Sequence, residues 1–555
     1  PIGRSAARRP GAFGRGSQTT TDDDGAFEFE GLSPASYVIS ASAPGYITPP
    51  PIEDENSYGV YRAGDVANVT LARGGVITGR VVNASGNPLT GVSVNAIRVG
   101  GLDGEADNQL VFQGFGRAWR TDDRGVYRIY GLVPGSYIIQ AGPPGQAGGL
   151  GGPMANFLSA FSGDAPTYYP SSARDVATPV AVRAGEEVAG LDVSYRGEKG
   201  RVVSGRIVAK AGDNGFGAAQ IVLSVAGSDA VVATTVQMDA GRMNIGRGGG
   251  EGRGFAFYGV RDGEYDIVAL RAGGGAESDA VSAPRRVSVH GVDAGGIELA
   301  LTPLASISGR VTVEKKADVC QSPRASSVEE ILLTAEHDRA QTQEPTLLSQ
   351  LISARSGRPV APNATGEFTL RNLQAGRHRV TARLPDENWY VRSISMGGLG
   401  GRGGSESKPS APSARRTATR VPVNVARDGV TLKAGEKLNG ITVTIAEGAA
   451  TLKGRLAAGQ GGQIPGKVRA YLIPAEKEAA DDLLRYAHAN ANGEGDFNFK
   501  NLAPGRYYLL AKPAKDGDSN AERAVLRKEA EAAGNVIELQ RCQRVEDYKL
   551  TIQPH

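Results

Sequence analysis

Three consecutive aspartates followed by a glycine are the first candidate for chemistry in the sequence. They stand in residues 21–32, which read TDDDGAFEFEGL. A calcium loop of the EF-hand type needs oxygen ligands at positions 1, 3 and 5, glycine at position 6 and glutamate at position 12. With Gly25 at position 6, position 1 is Thr20 and position 12 is Gly31. The pattern fails at both ends, so it predicts a hairpin turn, with a weak calcium site as the alternative.

Other residues that carry chemistry are sparse and scattered. No two histidines lie at metal-ligand spacing in the sequence: they are His290, His337, His378, His488 and His555. Nucleophile-elbow, zinc-protease and phosphate-loop motifs are absent, and the glycine-rich run 246–254 has no lysine–serine pair. The sequence therefore predicts no catalytic residue, no cofactor, no metal ligand and no enzymatic activity.

Trp389 and Tyr390 are the best candidates for a binding surface. They stand in ENWYVRSISMGG, and the chain has only 2 tryptophans. An exposed Trp–Tyr pair can stack on a sugar or anchor a protein contact. On an alternating strand a tryptophan more often belongs to the core. We predict a core residue at Trp389 and keep the binding surface as the alternative.

Composition limits the remaining functions. The 555 residues carry a net charge of only +3, which gives no reason to expect nucleic acid. With 77 glycines and 6% aromatics, several small cores are more natural than one large core. No apolar run is long enough to cross a membrane, and no signal sequence is visible in this chain. Cys320 and Cys542 are either free thiols or one long-range bridge, and the sequence leaves this open.

The opening stretch recurs along the chain. Similar segments stand at 121–139, 252–268, 364–380 and 493–510, with the frame turn-G-x-Φ-x-Φ-x-G/N-L-x-x-G-x-Y, where Φ is apolar or aromatic. Apolar residues alternate with mostly polar ones, which predicts a half-buried strand followed by a tight turn and a second strand. In the fourth copy His378 takes the tyrosine position, so we expect a packed strand residue there and not a metal ligand.

Two further elements flank these hairpins. A Gly-Arg element begins at Gly79, Gly205, Gly309 and Gly454, and a closing strand is predicted at 63–71, 184–195, 291–301, 434–445 and 542–552. Each repeat then holds six or seven short strands, the number typical of a two-sheet sandwich. The predicted class is all-β.

The second copy carries a family resemblance. Its segments GNPLTGVSV, TDDRGVYRIYGLVPGSYII and AGEEVAGLDVSY resemble the carboxypeptidase regulatory-like module of the transthyretin-like (prealbumin) β-sandwiches. The resemblance implies a secreted or surface-bound bacterial protein in which such modules act as stalks, spacers or adhesive units. In the carboxypeptidases that name the family, catalysis belongs to a separate zinc domain, which has no counterpart in this sequence.

We predict five modules joined by very short linkers, forming an elongated rod. Their bounds are 1–73 (incomplete, lacking its first strand), 74–198, 199–303 (divergent), 304–447 (with long insertions) and 448–555 (with helices at 475–490 and 520–534). The first copy has PIGRSAARRPGAFGRGSQTT in place of the Gly-Arg element, and this segment does not alternate. Either the chain is cut inside this module, or a segment of another copy fills the gap and gives head-to-tail fibres.

The predicted function is that of a non-catalytic extracellular structural protein that assembles head-to-tail into a surface filament by strand complementation. The alternative is a cell-surface adhesin or a glycan- or protein-binding receptor. The expected partners are further copies of the chain or other surface proteins, with a glycan as a further candidate, and neither nucleic acid nor a transmembrane segment. The expected location is extracellular or at the cell surface.

Overall fold

A computed structural model describes residues 18–49, 60–101, 119–142, 163–208, 218–228, 230–238, 254–271, 279–314, 320, 326–338, 358–397, 423–457, 468–513 and 520–552. Most of each glycine-rich insertion (142–166, 241–254 and 397–420) lies outside these ranges, as do residues 1–17. Within the described ranges the chain consists mainly of β-strands, which confirms the all-β class. The predicted module bounds are used below as names.

The strands of the first three modules are numbered in chain order. The first module contains β1 to β4, at Ser36–Val38, Tyr46–Ile47, Val60–Arg62 and Ala72–Arg73. The second contains β5 to β13, at Gly75–Val82, Ser93–Gly100, Trp119–Arg120, Val126–Leu132, Gly135–Ala141, Thr167–Tyr168, Val180–Val182, Glu187–Val188 and Val193–Ser194, with a 3-10 helix at Arg174–Val176. The third contains β14 to β21, at Arg201–Val208, Ala218–Val225, Val231–Met238, Gly254–Val260, Gly263–Arg271, Ala280–Ser282, Arg285–Val289 and Ala294–Pro303.

The last two modules add short helices. The fourth contains β22 to β29, at Ala305–Glu314, Leu332–His337, Glu367–Leu373, Gly376–Arg383, Trp389–Met396, Val423–Asn424, Val430–Leu432 and Lys437–Glu447, with helix α1 at Val425–Asp428 and a 3-10 helix at Val328–Glu330. The fifth contains β30 to β36, at Ala450–Ala457, Val468–Pro474, Ala487–Asn490, Asp496–Leu502, Gly505–Pro513, Val536–Leu539 and Arg544–Thr551, with helix α2 at Asn520–Ala533 and a 3-10 helix at Leu483–Arg485.

The second to fifth modules repeat one sheet pattern. A central strand with the Gly-Arg sequence, here called the GR strand, lies between an antiparallel neighbour and a parallel neighbour. The GR strands are β5, β14, β22 and β30. The antiparallel neighbour is here called the aromatic strand; in the second to fifth modules it is β8, β17, β24 and β33. The parallel neighbour is the closing strand. It is split into β12 and β13 in the second module and is β21, β29 and β36 in the third to fifth. In the second, fourth and fifth modules a separate second sheet accompanies this one, whereas in the third module β19 joins β21, so its eight strands form one continuous sheet. The predicted β-sandwich class is confirmed.

The repeated tyrosine fastens the turn between two strands. Its hydroxyl donates to the carbonyl oxygen four residues earlier, as in the pairs Tyr37–Ser33, Tyr137–Val133, Tyr265–Arg261 and Tyr507–Ala503. Burial raises the pKa of Tyr137 and of Tyr265 to about 12, so both hydroxyls keep the donated proton at neutral pH. This bond explains why the tyrosine recurs at a fixed distance from the turn.

One of the two helices predicted in the fifth module is wrong. Residues 475–490 form turns, a 3-10 helix and the strand β32, while α2 confirms the second prediction. The Asp482 carboxylate accepts from Leu484 N at 3.2 Å and supports only a short 3-10 turn. Ala487–Asn490 then pairs with β31, so sheet pairing outweighs the helix propensity of the segment. Helix α2 buries Ala530 against the module.

The first module differs from the other four. Its strands form two small pairs, β1 with β3 and β2 with β4. Among the described residues, 26–30 and 65–71 form no ladder, although the aromatic and closing strands were predicted there. In the other modules both neighbours hydrogen-bond to the GR strand, and the described part of the first module contains no GR strand.

The first module also contacts the fourth. The Ser36 hydroxyl donates to Glu330 O at 2.8 Å, and the Arg62 guanidinium donates to Pro385 O. A straight row in which each module touches only its sequence neighbours cannot make these bonds. The linear order of modules does not predict these contacts, which arise because the chain brings the first module against the fourth.

Candidate functional site

The aspartate-rich turn uses its oxygens on its own backbone. Asp22 Oδ1 accepts from Ala26 N at 2.7 Å and from Asp24 N at 3.1 Å. The same two bonds form at Asp122, Asn363 and Asn492, at the corresponding positions of three other copies. Because the amide oxygen of asparagine accepts the same two bonds as the carboxylate of aspartate, the turn does not require a negative charge. The hairpin turn is confirmed, and no group of three or more metal-ligating side chains exists in the described part of the chain.

His378 is a packed strand residue, as predicted. Its Nε2 lies 2.8 Å from Gln374 O, the counterpart of the tyrosine bond, and its ring meets the His337 ring edge-on at 4.9 Å. The two histidines face each other across β23 and β25. Burial, and to a smaller degree the neighbouring His337, lower the pKa of His378, so the ring is neutral at physiological pH.

The predicted binding surface at Trp389 is not exposed. Trp389 is 6% exposed and belongs to the core of the fourth module, and Tyr390 beside it is half-buried. The core prediction is confirmed. The alternative, in which this tryptophan stacks on a ligand, is wrong because the ring is covered by its own module.

The clearest constellation outside the cores lies at the junctions between modules. Each aromatic strand ends in a β-bulge whose extra residue has positive φ: Gly131 at 74°, Gly259 at 70°, Asn372 at 64° and Asn501 at 57°. This bulge residue faces the preceding module. In the second and third modules it is glycine, and the linker glycine fits against its backbone: a Cβ on Gly200 would lie 2.3 Å from Gly259 C.

In the fourth and fifth modules the bulge residue is asparagine and its side chain makes bonds to the previous module. Asn372 Oδ1 accepts from Asp279 N of the third module at 2.7 Å. Asn501 Nδ2 donates to Asp386 O at 2.6 Å and to Trp389 O at 2.8 Å, both in the fourth module. Asparagine suits the position because it tolerates positive φ and has a short amide that reaches backbone groups.

The junction between the fourth and fifth modules has further bonds. The Lys500 ammonium lies 2.8 Å from the Glu387 carboxylate, and Gly448 N donates to Asn388 O at 2.8 Å. Cys320 of the fourth module and Cys542 of the fifth are joined by a disulfide, with their Cα atoms 5.5 Å apart. This answers the question that the sequence left open: the two cysteines are bridged, and the bridge crosses the junction.

A cleft of about 1520 Å³ opens among the first, fourth and fifth modules. Its charged walls are largely paired within the protein, for example Lys453 with Glu546 at 3.2 Å and Arg455 with Asp496 at 2.5 Å. The cleft therefore presents no concentration of one charge that would select a ligand class.

The junction role of the asparagines was missed in the sequence. The sequence does mark the position, because the residue before the repeated leucine is glycine in some copies and asparagine in others. Both residues are suited to positive φ, so the pattern predicts the bulge. It does not reveal that the amide faces another module, because that depends on how neighbouring modules are placed.

No protein-family model matches the chain, and no curated protein sequence matches it. Solved structures with a similar arrangement include the Bacillus anthracis TIE protein (9% identity, 87% of this chain and 70% of that chain, TM-score 0.15). A second is the major pilin subunit BcpA of Bacillus cereus (10% identity, 68% of this chain and 100% of that chain, TM-score 0.14). A third is a structure of two B repeat units of the Staphylococcus aureus collagen binding protein (10% identity, 80% of this chain and 94% of that chain, TM-score 0.16). Similarity at this level carries no argument about function, and the carboxypeptidase regulatory-like resemblance stays a prediction.

Among the described helices, none has the length and apolar character needed to span a membrane.

Proposed function

We propose that the chain is a non-catalytic extracellular structural protein whose tandem sandwiches act as one mechanically continuous unit. The observation that carries the proposal is the chemistry of the junctions. Side-chain and backbone hydrogen bonds join consecutive modules, and a disulfide locks the last two. Flexible linkers that only connect independent domains make no such bonds. A chain that transmits force or holds a fixed spacing needs them.

An extracellular location fits the disulfide. Bridges persist in oxidising compartments and are rare in the cytosol. The Cys320–Cys542 bridge, with a sequence separation of 222, is a structural link between two modules. We therefore propose secretion or surface display as the setting of this protein.

Assembly into a filament by strand complementation is the finer form of the proposal. The first module supports it, since its two potential sheet neighbours form no ladder among the described residues. The GR strands of the other four modules each lie between two bonded neighbours in their own sheet. A donated strand must therefore come from a segment other than these four.

Electron microscopy of the full chain at several concentrations tests the filament. Filaments whose axial repeat corresponds to one chain, lost when residues 1–20 are deleted, would support head-to-tail assembly. Particles that stay single at every concentration would contradict filament formation and leave the joined-module role intact. The receptor alternative has no exposed tryptophan at residue 389 to support it.

A further inference from the structure

The contact between the first and fourth modules uses two donors that lie at one place on the first module. Ser36 on β1 and Arg62 on β3 are register partners in this antiparallel pair, so their side chains lie on the same face of it. The Ser36 hydroxyl donates to Glu330 O at 2.8 Å, and the Arg62 guanidinium donates to Pro385 O. One face of a two-stranded pair therefore makes both hydrogen bonds.

Burial in the first module is concentrated at the same place. Among its described residues only Ala35 and Ser36 are buried, with 1% and 2% of their surface exposed. The second to fifth modules each have a cluster of buried apolar residues of their own. The described part of the first module has no comparable core, and its most closely packed residues lie where it contacts the fourth module.

The fourth module holds the acceptor segments in place with its own side chains. Ser327 Oγ accepts from Glu329 N at 3.3 Å, and Glu330 Oε2 accepts from Ser327 N at 3.2 Å, which together form a capping box. Ser326 Oγ donates to Asp386 Oδ2 at 2.9 Å, in the segment that contains the second acceptor. These bonds do not involve the first module, so the docking site is built before the first module reaches it.

The link from the first module to the second is a backbone link. Gly74 N donates to Gly45 O at 2.9 Å, and Gly185 N donates to Arg73 O at 3.0 Å. The later junctions add the asparagine side-chain bonds described above. Glycine tolerates a wide range of backbone dihedral angles, so the chain can turn at Gly74 at little cost. We take this position as the hinge of the first module.

The docked first module forms one wall of the cleft that it shares with the fourth and fifth modules. Val60, Arg62 and Asp65 line the cleft from this side. Arg62 Nε lies 3.6 Å from Asp65 Oδ2, so the same arginine that bonds the fourth module is held by an acid of its own module. A rotation of the first module away from the fourth would remove this wall and open the cleft.

We propose that the first module is a hinged lid, which docks on the fourth module through Ser36 and Arg62 and opens the cleft when these two hydrogen bonds break. The occupant of the docking site is the chain's own first module, as the structure shows it. The lid goes beyond the proposed structural role, because it assigns a moving part to a chain whose later modules are joined by side-chain bonds and a disulfide.

Single-molecule fluorescence energy transfer in the full chain measures docking directly. Asp23→Cys and Glu336→Cys supply exposed positions for two dyes, one on each module, and the native cysteines are bridged. We expect a major high-transfer population from the docked lid and a minor low-transfer population. Ser36→Ala with Arg62→Met should lower the ratio of docked to open molecules at least about tenfold, through the loss of two hydrogen bonds. Arg73→Met, at an exposed arginine of the same module, is the matched control and should leave the ratio unchanged.

A substitution in the fourth module separates undocking from misfolding of the first. Ser327→Ala removes the hydroxyl of the capping box that positions Glu330 and leaves the first module intact, so the ratio should fall several-fold. An unchanged ratio in this variant would overturn the proposal. Energy transfer between chains that carry one dye each would also overturn it, because the docked module would then belong to a second copy. None of these outcomes affects the joined-module role, which is tested by force on the last two modules.

Discussion

The disulfide between the fourth and fifth modules should carry mechanical force past the residues that lie between its two cysteines, and we call this the bypass. If the chain is pulled from its two ends, tension enters the fourth module through β22 and leaves the fifth through β36. Between these strands the Cys320–Cys542 bridge replaces a sequence separation of 222 residues. At about 3.6 Å per extended residue, that segment corresponds to about 800 Å of contour length that cannot be pulled out while the bridge is intact.

Single-molecule force spectroscopy measures this length directly. The full chain, tethered near residues 1 and 555, should show a final contour length about 800 Å shorter under oxidising conditions than after reduction. The Cys320→Ser variant, with its partner Cys542→Ser, should behave like the reduced protein in both conditions. Removing the bridge should also destabilise these two modules by on the order of 5 kcal/mol, from the entropy of the released loop. Equal contour lengths with and without reductant would refute the bypass.

Three further predictions concern the junctions, the turn bond and the GR strand. Asn501→Gly keeps the positive φ but loses two hydrogen bonds to the fourth module, so urea unfolding under reducing conditions should show a loss of stability of about 1–3 kcal/mol. Asn372→Gly is the matched change one junction earlier, and an unchanged stability in both variants would contradict a stabilising role for the junction asparagines. Burial lowers the pKa of His378, so the folded protein binds a proton there less readily than the unfolded chain does. The free energy of unfolding should therefore be highest above about pH 6.5 and should decrease as the pH falls below that value. His378→Tyr should remove this loss, seen as a smaller difference between unfolding at about pH 7.5 and about pH 5; an unchanged difference would exclude His378 as its source. Gly309→Val places a Cβ 2.2 Å from Ile441 O and should cost at least about 3 kcal/mol in thermal or urea unfolding, whereas a loss below about 1 kcal/mol would show that the closing strand yields.

Much of the fold could be predicted from the repeat, for a physical reason. A strand with one buried face must alternate, and a tight turn must supply a residue that accepts positive φ, so both leave marks in a single sequence. The segment 475–490 misled because its composition favours a helix, while pairing with β31 is a tertiary contact that propensity does not contain. The contact of Ser36 with Glu330 was equally invisible, since it depends on the path of the whole chain.

The chemistry of the junctions changes along the chain. The first two modules meet through the hydrogen bond from Gly74 N to Gly45 O at 2.9 Å, and the next pair has the Arg261–Glu198 salt bridge at 2.6 Å. Asn372 bonds the third module to the fourth, and Asn501 with the disulfide bonds the fourth to the fifth. We therefore expect the junction between the fourth and fifth modules to resist extension most, because the covalent bridge joins these two modules.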